Sequence, residues 1–389
     1  MNVCMIAYSF YERDSRIIRY AEALAKRGDH VDVIALGNSS LPAREIINGV
    51  QVFRIQKRTI NETTKFSYFW RTLKFLAGST VFVSYKHLIS KYDLVHVHSV
   101  PDFQVFAALL PKLTGAKIIL DIHDIVPEFY ASKFHVGPES LIFKTLALIE
   151  KISGMLSDHV IIANHLWEIK LTGRSVAPLK CTTLLNYPDR SHVHLCSQSR
   201  RNGEFVAIYP GSLNWHQGLD IAVRAFAIAA RELPHAEFHI YGKGPEETAL
   251  RNLVKELGML DKVIFKGFLP LDKIYEKMAE ASVAVVPKRD DPFGGDAFST
   301  KILEFMSLGV PIILSKTRID QYYFKDDIVQ FFEPENYREL AESLLLLAGN
   351  EEKRKSLSAA ALQFVEDFYW DKRKSDYFSL VDKLTGGFV

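Results

Sequence analysis

Two kinds of local pattern alternate along most of the 389 residues of this chain. Short runs rich in valine and isoleucine are separated by longer stretches whose apolar residues recur three and four positions apart, as in 17–24 and 141–156. The short runs predict β-strands and the longer stretches predict helices. Regular alternation of the two predicts parallel sheets covered by helices on both faces, and therefore an α/β fold.

The alternation occurs twice, with a polar segment, Pro188–Glu204, between the two series. This segment has no periodic apolar residues and is predicted to be an interdomain linker. The chain is also longer than one hydrophobic core usually supports. We therefore expect two doubly wound lobes that face each other across a cleft, at 1–190 and 204–365, with the helical tail 366–389 crossing back to the first lobe. The predicted strands are Val3–Ala7, Val31–Leu36, Val50–Ile55, Leu94–His98, Ile118–Ile122, His159–Ala163, Thr182–Leu185, Val206–Tyr209, Glu237–Tyr241, Lys262–Phe265, Val283–Val286, Pro311–Leu314 and Ile328–Phe331.

Several features favour a cytoplasmic protein. No run of apolar residues reaches the length of about 18 that a membrane-spanning helix needs. The apolar run Met1–Tyr8 is expected to be the first strand, because no basic leader or small-residue cleavage site accompanies it. The three cysteines are scattered, which predicts neither a disulfide framework nor a zinc site.

Charge is unevenly distributed, although the net charge is only +2. Residues 1–200 hold 24 Lys and Arg against 17 Asp and Glu, whereas the remainder holds 24 against 29. Within 54–92 a single acid, Glu62, accompanies eight basic residues, and this asymmetry predicts an anionic surface or substrate as a partner. The eight are Arg54, Lys57, Arg58, Lys65, Arg71, Lys74, Lys86 and Lys91.

The same basic segment contains a helical pattern with one apolar face. This face is expected either to pack into the core of the first lobe or to lie in an anionic membrane interface, since basic helices rich in aromatic residues bind there. Its members are Phe66, Phe69, Trp70, Leu73 and Ala77.

The most informative segment joins a predicted strand, Val283–Val286, to a helix that begins near Ser299 and Thr300. Free amides at a helix N-terminus form an anion site suited to a diphosphate, and Lys301 adds a cation there. Glu304, one turn further, is placed to accept hydrogen bonds from a ribose diol. The alternative is a capped amphipathic helix on which Glu304 is merely solvated.

This segment resembles the acidic-x7-acidic motif of the retaining family 4 glycosyltransferases, which have the GT-B fold. Asp296 and Glu304 have that spacing, and the following Gly309-Val-Pro311 also fits. The resemblance implies two Rossmann-like lobes, a nucleoside-diphosphate sugar as donor substrate, Glu304 on the ribose and Asp296 on the donor sugar. His123, at the end of a predicted strand, matches a family histidine near that sugar; taken alone, a packed or capping histidine is the alternative.

Other parts of the resemblance are partial. The first loop, Ser9–Arg16, lacks the family's glycines, and Arg16 is expected to supply charge to the phosphate instead. The stretch around Gly211 resembles the family's Gly-Arg-Leu…Lys-Gly signature, with Ser212 and Gln217 in place of the usual cations. Lys243 and Lys301 are expected to compensate.

Dehydrogenase and metal-site interpretations find little support. Gly242-x-Gly244 lacks the third glycine of a dinucleotide fingerprint, since position 247 is glutamate. Asp290-Asp291 lacks the partner ligands of a magnesium-diphosphate site, so neither a metal nor a cofactor is expected.

The expected function is retaining, metal-independent transfer of a hexosyl group from a nucleotide sugar. The acceptor is expected to be a glycan or a lipid-linked molecule, in polysaccharide or glycoconjugate biosynthesis at the inner face of the membrane. Two alternatives remain open: a nucleotide-sugar epimerase of the same fold, and a catalytically weak nucleotide-sugar-binding protein.

Overall fold

The computed structural model describes residues 1–58, 65–134, 136–190 and 205–386. They form two units: Met1–Asn186 together with Lys374–Val389, and Tyr187–Arg373. The predicted linker, Pro188–Glu204, lies mostly outside the described residues, as do Glu62 and the side chains of Lys65 and Phe66.

The first unit contains an eight-stranded sheet and six helices that follow one another along the chain. Its strands are β1 (Asn2–Phe10), β2 (His30–Gly37), β3 (Arg44–Ile47), β4 (Val50–Lys57), β5 (Leu94–His98), β6 (Lys117–Ile122), β7 (His159–Ile162) and β8 (Cys181–Thr183). Its helices are α1 (Ser15–Arg27), α2 (Lys65–Ile89), α3 (Leu109–Leu113), α4 (Val126–Phe134), α5 (Leu141–Leu156) and α6 (His165–Arg174).

The strand order of this sheet is β3-β4-β2-β1-β5-β6-β7-β8. All pairs are parallel except β3 with β4, which form an antiparallel edge. Strands β5 and β7 are buried along their whole length and β6 from its second residue onward, as expected for a sheet covered on both faces. The chain reverses direction across the sheet between β1 and β5, a topological switch point at which such folds bind ligands.

The second unit contains a six-stranded parallel sheet with the order β11-β10-β9-β12-β13-β14. Its strands are β9 (Val206–Pro210), β10 (Glu237–Tyr241), β11 (Val263–Gly267), β12 (Val283–Val286), β13 (Ile312–Ser315) and β14 (Gln330–Phe332). Its helices are α7 (Leu219–Ala229), α8 (Glu247–Glu256), α9 (Leu271–Ala279), α10 (Thr300–Ser307), α11 (Arg318–Tyr323), α12 (Tyr337–Gly349) and α13 (Glu351–Val365). The last helix, α14 (Trp370–Thr385), begins in this unit and belongs to the first unit from Lys374 onward.

The expected α/β fold with two doubly wound lobes is confirmed, and all thirteen predicted strands are present. Six of them begin at the predicted residue: Val50–Lys57, Leu94–His98, His159–Ile162, Val206–Pro210, Glu237–Tyr241 and Val283–Val286. Strand β3 was not predicted, because its exposed sequence Arg-Glu-Ile-Ile carries no run of buried residues. The last strand of the first unit is shorter than predicted and ends at Thr183.

Helix α2 does not bury the apolar face that its sequence suggests. Phe69 and Trp70 are 48% and 55% exposed, whereas Phe75 and Val83 are completely buried. For Phe69 and Trp70, the expectation of packing into the core is therefore wrong. The sheet covers the side of the helix that also carries the small polar residue Ser79.

Candidate functional site

In the second unit, the predicted anion site lies at the carboxyl ends of the adjacent central strands β9 and β12. Helix α10 begins after a long loop, with Ser299 in an extended conformation and its carbonyl oxygen accepting from the amide of Ile302 at 3.1 Å. Ser299, Thr300, Lys301 and Glu304 are all half-buried. The first turn of α10 therefore presents its amides beside a lysine and a glutamate.

Lys301 is the cation of this site. Its Nζ donates to Oη of Tyr209 at 3.2 Å and to Oε1 of Gln217 at 3.1 Å, and it lies 4.2 Å from the centre of the Tyr209 ring. Burial, and then the nearby charge of Lys288, lower the pKa of Lys301 to about 7. The ammonium group is thus poorly compensated by the side chains around it, so an anionic ligand beside it is favoured.

Two glycine-bearing loops pack backbone to backbone next to Lys301. A Cβ on Gly211 would lie 2.9 Å from Nζ of Lys301, and a Cβ on Gly242 would lie 1.7 Å from the carbonyl oxygen of Gly211. Gly244 approaches the backbone of Leu213 in the same way, with 2.3 Å from its Cβ position to the Leu213 carbonyl oxygen. These glycines therefore serve close packing of the two loops.

Lys243 lies on the second of these loops. Its carbonyl oxygen accepts from the amide of Leu213 at 3.1 Å, and its side chain is exposed. The structure thus fixes the backbone of Lys243 near the loop of Gly211, while leaving its side chain at the surface.

Asp296 is almost completely buried in the loop before α10. Its Oδ1 lies 3.0 Å from Nη2 of Arg318, at the start of α11. Sequence reasoning missed Arg318, and the only signal in the chain is its position just after strand β13. Asp296 and Glu304 therefore differ in environment, because Asp296 forms an ion pair with a guanidinium and Glu304 lies one turn from Lys301.

Another pair that the sequence did not reveal fixes the same loop. Nζ of Lys288 lies 2.8 Å from Oδ2 of Asp320 and donates to the carbonyl oxygen of Ala297 at 2.8 Å. Burial raises the pKa of Asp320 in spite of the lysine. Oδ1 of Asp291 accepts from the amides of Phe293 and Gly294, both at 2.7 Å, which gives this aspartate a role in the turn.

In the first unit, Asp121 at the end of β6 is the centre of a buried polar cluster. Arg16 donates to both of its oxygens, from Nε at 2.8 Å and from Nη2 at 2.7 Å. Nε2 of His123 and Nδ1 of His98 lie 3.3 and 3.4 Å from Oδ2 of the same carboxylate. The charge of Arg16, followed by that of His123, outweighs burial and holds the pKa of Asp121 well below its usual range.

The ring of His123 is the part of this cluster that reaches the surface, with 22% of its side chain exposed. Burial alone would lower its pKa, but the carboxylate of Asp121 overrides burial and raises the pKa. His98, in contrast, has a pKa lowered by its burial. His123 is therefore the imidazole in this group that is biased toward the charged form.

Arg16 has a different partner from the one expected. It is buried, and both of its hydrogen bonds given above go to Asp121, so its guanidinium is committed within the first unit. Binding of phosphate by Arg16 stays a prediction. Asp121 was missed by sequence reasoning, although its place two residues before His123 on a buried strand offered a signal.

His96, His98 and Asp121 have ligand atoms within 4.8 Å of one another, the only such group within the described ranges. The positive charge at this place already comes from Arg16, which occupies both oxygens of Asp121. A metal ion would have to displace the buried, bidentate ion pair between Arg16 and Asp121, so this cluster does not fit a metal site.

Two family descriptions match the chain. Residues 197–364 match the family described as glycosyl transferases group 1. Residues 15–171 match the family described as glycosyltransferase family 4. Together they cover most of both units.

Two curated relatives are similar to this chain over most of their length. An uncharacterized glycosyltransferase of Methanocaldococcus jannaschii is 27% identical over 307 residues, which are 76% of this chain and 74% of that protein. An uncharacterized glycosyltransferase of Haemophilus influenzae is 23% identical over 364 residues, which are 91% of this chain and 92% of that protein.

Solved structures show the same fold at low identity. The sucrose-phosphate synthase of Thermosynechococcus elongatus superimposes with a TM-score of 0.81 at 17% identity, covering 100% of both chains. The Anabaena HepE protein in complex with UDP-glucose superimposes with a TM-score of 0.73 at 15% identity, covering 98% of this chain and 100% of that one. With its two family matches, its GT-B fold and the motif residues of α10, this chain belongs to the family 4, group 1 glycosyltransferases.

Proposed function

We propose that the protein transfers a hexosyl group from a nucleoside-diphosphate sugar to a hydroxyl of a glycan or lipid-linked acceptor, with retention of configuration. The observation that carries this proposal is the position of Lys301, whose Nζ lies between Gln217 and the Gly211 loop at the N-terminus of α10. A half-buried cation beside the amides of a helix N-terminus is suited to a diphosphate leaving group.

The chemistry follows from charge. Breaking the bond between the sugar and the β-phosphate builds negative charge on the phosphate and positive charge on the ring. In this proposal Lys301 and the amides of Ser299 and Thr300 stabilise the phosphate, with Lys243 nearby, while Glu304 accepts from the ribose hydroxyls. His123 and Asp296 are the residues proposed to orient the donor sugar, and the acceptor hydroxyl attacks from the face that the diphosphate leaves.

The proposal needs no metal ion, because the charge of the leaving group is met by Lys301 and by amides. UDP-sugars are the first donors to test, since the structurally similar HepE protein was solved with UDP-glucose. Polysaccharide or glycoconjugate biosynthesis is the proposed setting.

The test incubates the full chain with UDP-, GDP- and ADP-sugars and an extract of lipid-linked acceptors, in the presence of EDTA, and follows nucleotide release and product. Acceptor-dependent release is expected, and NMR of the product should show the anomeric configuration of the donor. Glu304→Ala should lose most activity, whereas Glu342→Ala, an exposed site on α12, should keep it.

Three results would contradict the proposal. Isomerised donor without acceptor would indicate an epimerase, and binding without turnover would indicate a sugar-nucleotide-binding protein. Full activity of Glu304→Ala would remove the ribose assignment.

A further inference from the structure

The first unit turns the apolar sides of two long helices outward. Trp70, Val81 and Leu88 on α2 are 55%, 72% and 73% exposed. Their spacings of 11 and 7 residues place them on one line along the helix, over roughly 27 Å. The outer side of α2 therefore carries a continuous apolar stripe.

Helix α5 also exposes a stripe of apolar residues. Leu141, Leu148 and Met155 recur every seven residues and are 81%, 56% and 67% exposed. Glu150 and Ser153, on the opposite side, are completely buried, and Oε1 of Glu150 accepts from Nε of Arg174 at 2.8 Å. Helix α5 therefore buries Glu150 and Ser153 and exposes a row of apolar side chains, which is typical of a surface that contacts another apolar surface or a membrane.

The two stripes lie on one side of the sheet. The connections β4 to β5 and β6 to β7 step in the same direction along the sheet, so right-handed crossovers place α2 and α5 on the same face. The segment between the two helices contacts both of them. Nε2 of Gln104 donates to the carbonyl oxygen of Thr72 on α2 at 3.0 Å. Lys112 of α3 forms an ion pair with Asp158, just after α5, at 2.9 Å. Leu113 at the end of α3 is 82% exposed.

The exposed charges on helices α2, α3 and α5 are positive. Helices α2 and α3 contain no acidic residue, and the single acid of α5 is the buried Glu150. Lys74 on α2 and Lys151 on α5 are exposed among the apolar stripes. The surface is smaller than the sequence suggested, because Arg54 pairs with glutamates of its own unit and Lys86 pairs with Asp32 at 3.3 Å.

An open groove of about 610 Å³ runs along α2. Its lining includes Ile55, Ala77, Val81 and Phe82, together with Lys74. Because apolar walls meet an ammonium group here, the groove suits a hydrocarbon chain with an anionic head group.

We propose that the outward sides of α2, α3 and α5, here called the basic apolar layer, bind an anionic phospholipid membrane. The apolar stripes enter the interface and the lysines meet the lipid phosphates, as for amphipathic helices that lie in the membrane plane. Both α3 and α5 lie outside the segment 54–92 for which the sequence predicted such a surface. Among the described residues, none of the helices combines the length and apolarity needed to cross a bilayer.

The test measures sedimentation of the full chain with vesicles of phosphatidylcholine containing about 30% phosphatidylglycerol, at low and at high salt. Binding to these vesicles, but not to pure phosphatidylcholine, is expected. The double variant Leu88→Gln, Leu148→Gln should partition into these vesicles about tenfold or more weakly, because two leucine side chains are no longer transferred from water into the membrane interface. Leu260→Gln, an equally exposed leucine of the second unit, is the matched control and should have no effect.

Fluorescence gives a second readout. The emission of Trp70 should shift to shorter wavelength on binding, and Trp70→Phe should abolish the shift. The vesicles contain neither donor nor acceptor, so failure here is distinguishable from failure of the transferase proposal.

Three outcomes would overturn the membrane assignment. One is the absence of binding to anionic vesicles. Another is binding that the Leu88 and Leu148 substitutions leave unchanged while thermal unfolding shows all variants folded. The third is a dimer in light scattering, without vesicles, that the same substitutions dissociate, since a second copy would then cover the layer.

Discussion

The ammonium group of Lys301 donates to the side-chain oxygen of Gln217 at 3.1 Å. Residue 217 is the position at which the family signature resembled by this chain carries a lysine. The cation next to the Gly211 loop therefore comes from the first turn of α10, and the glutamine acts as its acceptor. The lysine expected at position 217 from the family signature is replaced by glutamine, but Lys301 supplies a positive charge at the same place.

The affinity for UDP should fall as the pH rises above about 7.5. Burial lowers the pKa of Lys301 to about 7, so the lysine is mostly neutral above that pH. A diphosphate favours the charged form and raises this pKa, so binding takes up a proton, and the association constant should fall by up to about tenfold per pH unit. Isothermal titration calorimetry in two buffers of different ionisation enthalpy measures both quantities.

Lys301→Met should bind UDP weakly and with little dependence on pH over this range. Lys243→Met, which removes an exposed cation of the neighbouring loop, should retain the slope. A slope that persists in Lys301→Met would assign the titration to another group.

Glu304→Gln should lower the affinity for UDP by about 1–3 kcal/mol, since a charged acceptor of two ribose hydrogen bonds becomes a neutral amide. The contrast with 2′-deoxyuridine diphosphate is the sharper measurement. The wild type should prefer UDP over the deoxy analogue, and Glu304→Gln should lose most of that preference. An unchanged preference would place the ribose elsewhere.

Asp121→Asn should destabilise the first unit by about 3–5 kcal/mol, because it leaves the buried guanidinium of Arg16 without its anion. Urea unfolding of this variant, of Arg16→Gln and of the double variant forms a thermodynamic cycle. The double variant should lose clearly less than the sum of the two single losses. Additive losses would mean that the pair is not coupled.

The contribution of Asp121 to stability should depend on pH in a defined direction. Its pKa in the folded protein lies well below the unfolded value of about 3.9, so the stabilisation is present above that value and is lost as the pH falls through the folded pKa. In Asp121→Asn the pKa of His123 should also fall, which NMR titration of its ring measures. An unchanged pKa would show that Asp121 does not bias His123.

Two glycines, Gly242 of the second unit and Gly173 of the first, should tolerate alanine very unequally. Gly242→Ala should prevent folding or destabilise severely, because its Cβ would lie 1.7 Å from a backbone oxygen and φ is +138°. Gly173→Ala, within helix α6 and with nothing within 4 Å, should stabilise by about 0.5–1 kcal/mol. Thermal unfolding checks both, and equal melting temperatures would refute the packing of the two loops.

The sequence by itself determined the layers of this protein. Runs of β-branched residues and helical periodicity are local properties, so they located thirteen strands and the polar break between the two series. The spacing of Asp296 and Glu304, with the strand before them, likewise located α10 and the anion site proposed at its start. These features depend on neighbours within about one or two turns of the chain.

The tertiary structure decided the partners. Arg16 and Asp121 are 105 residues apart, and Lys301 and Gln217 are 84 apart, so only the order of strands in each sheet brings them together. The same holds for the outward stripes of α2 and α5. Periodicity shows that a helix has an apolar side, but only its packing against the rest of the unit decides whether that side is buried or exposed. Pairing across a sheet is a long-range choice, and no local pattern in the sequence records it.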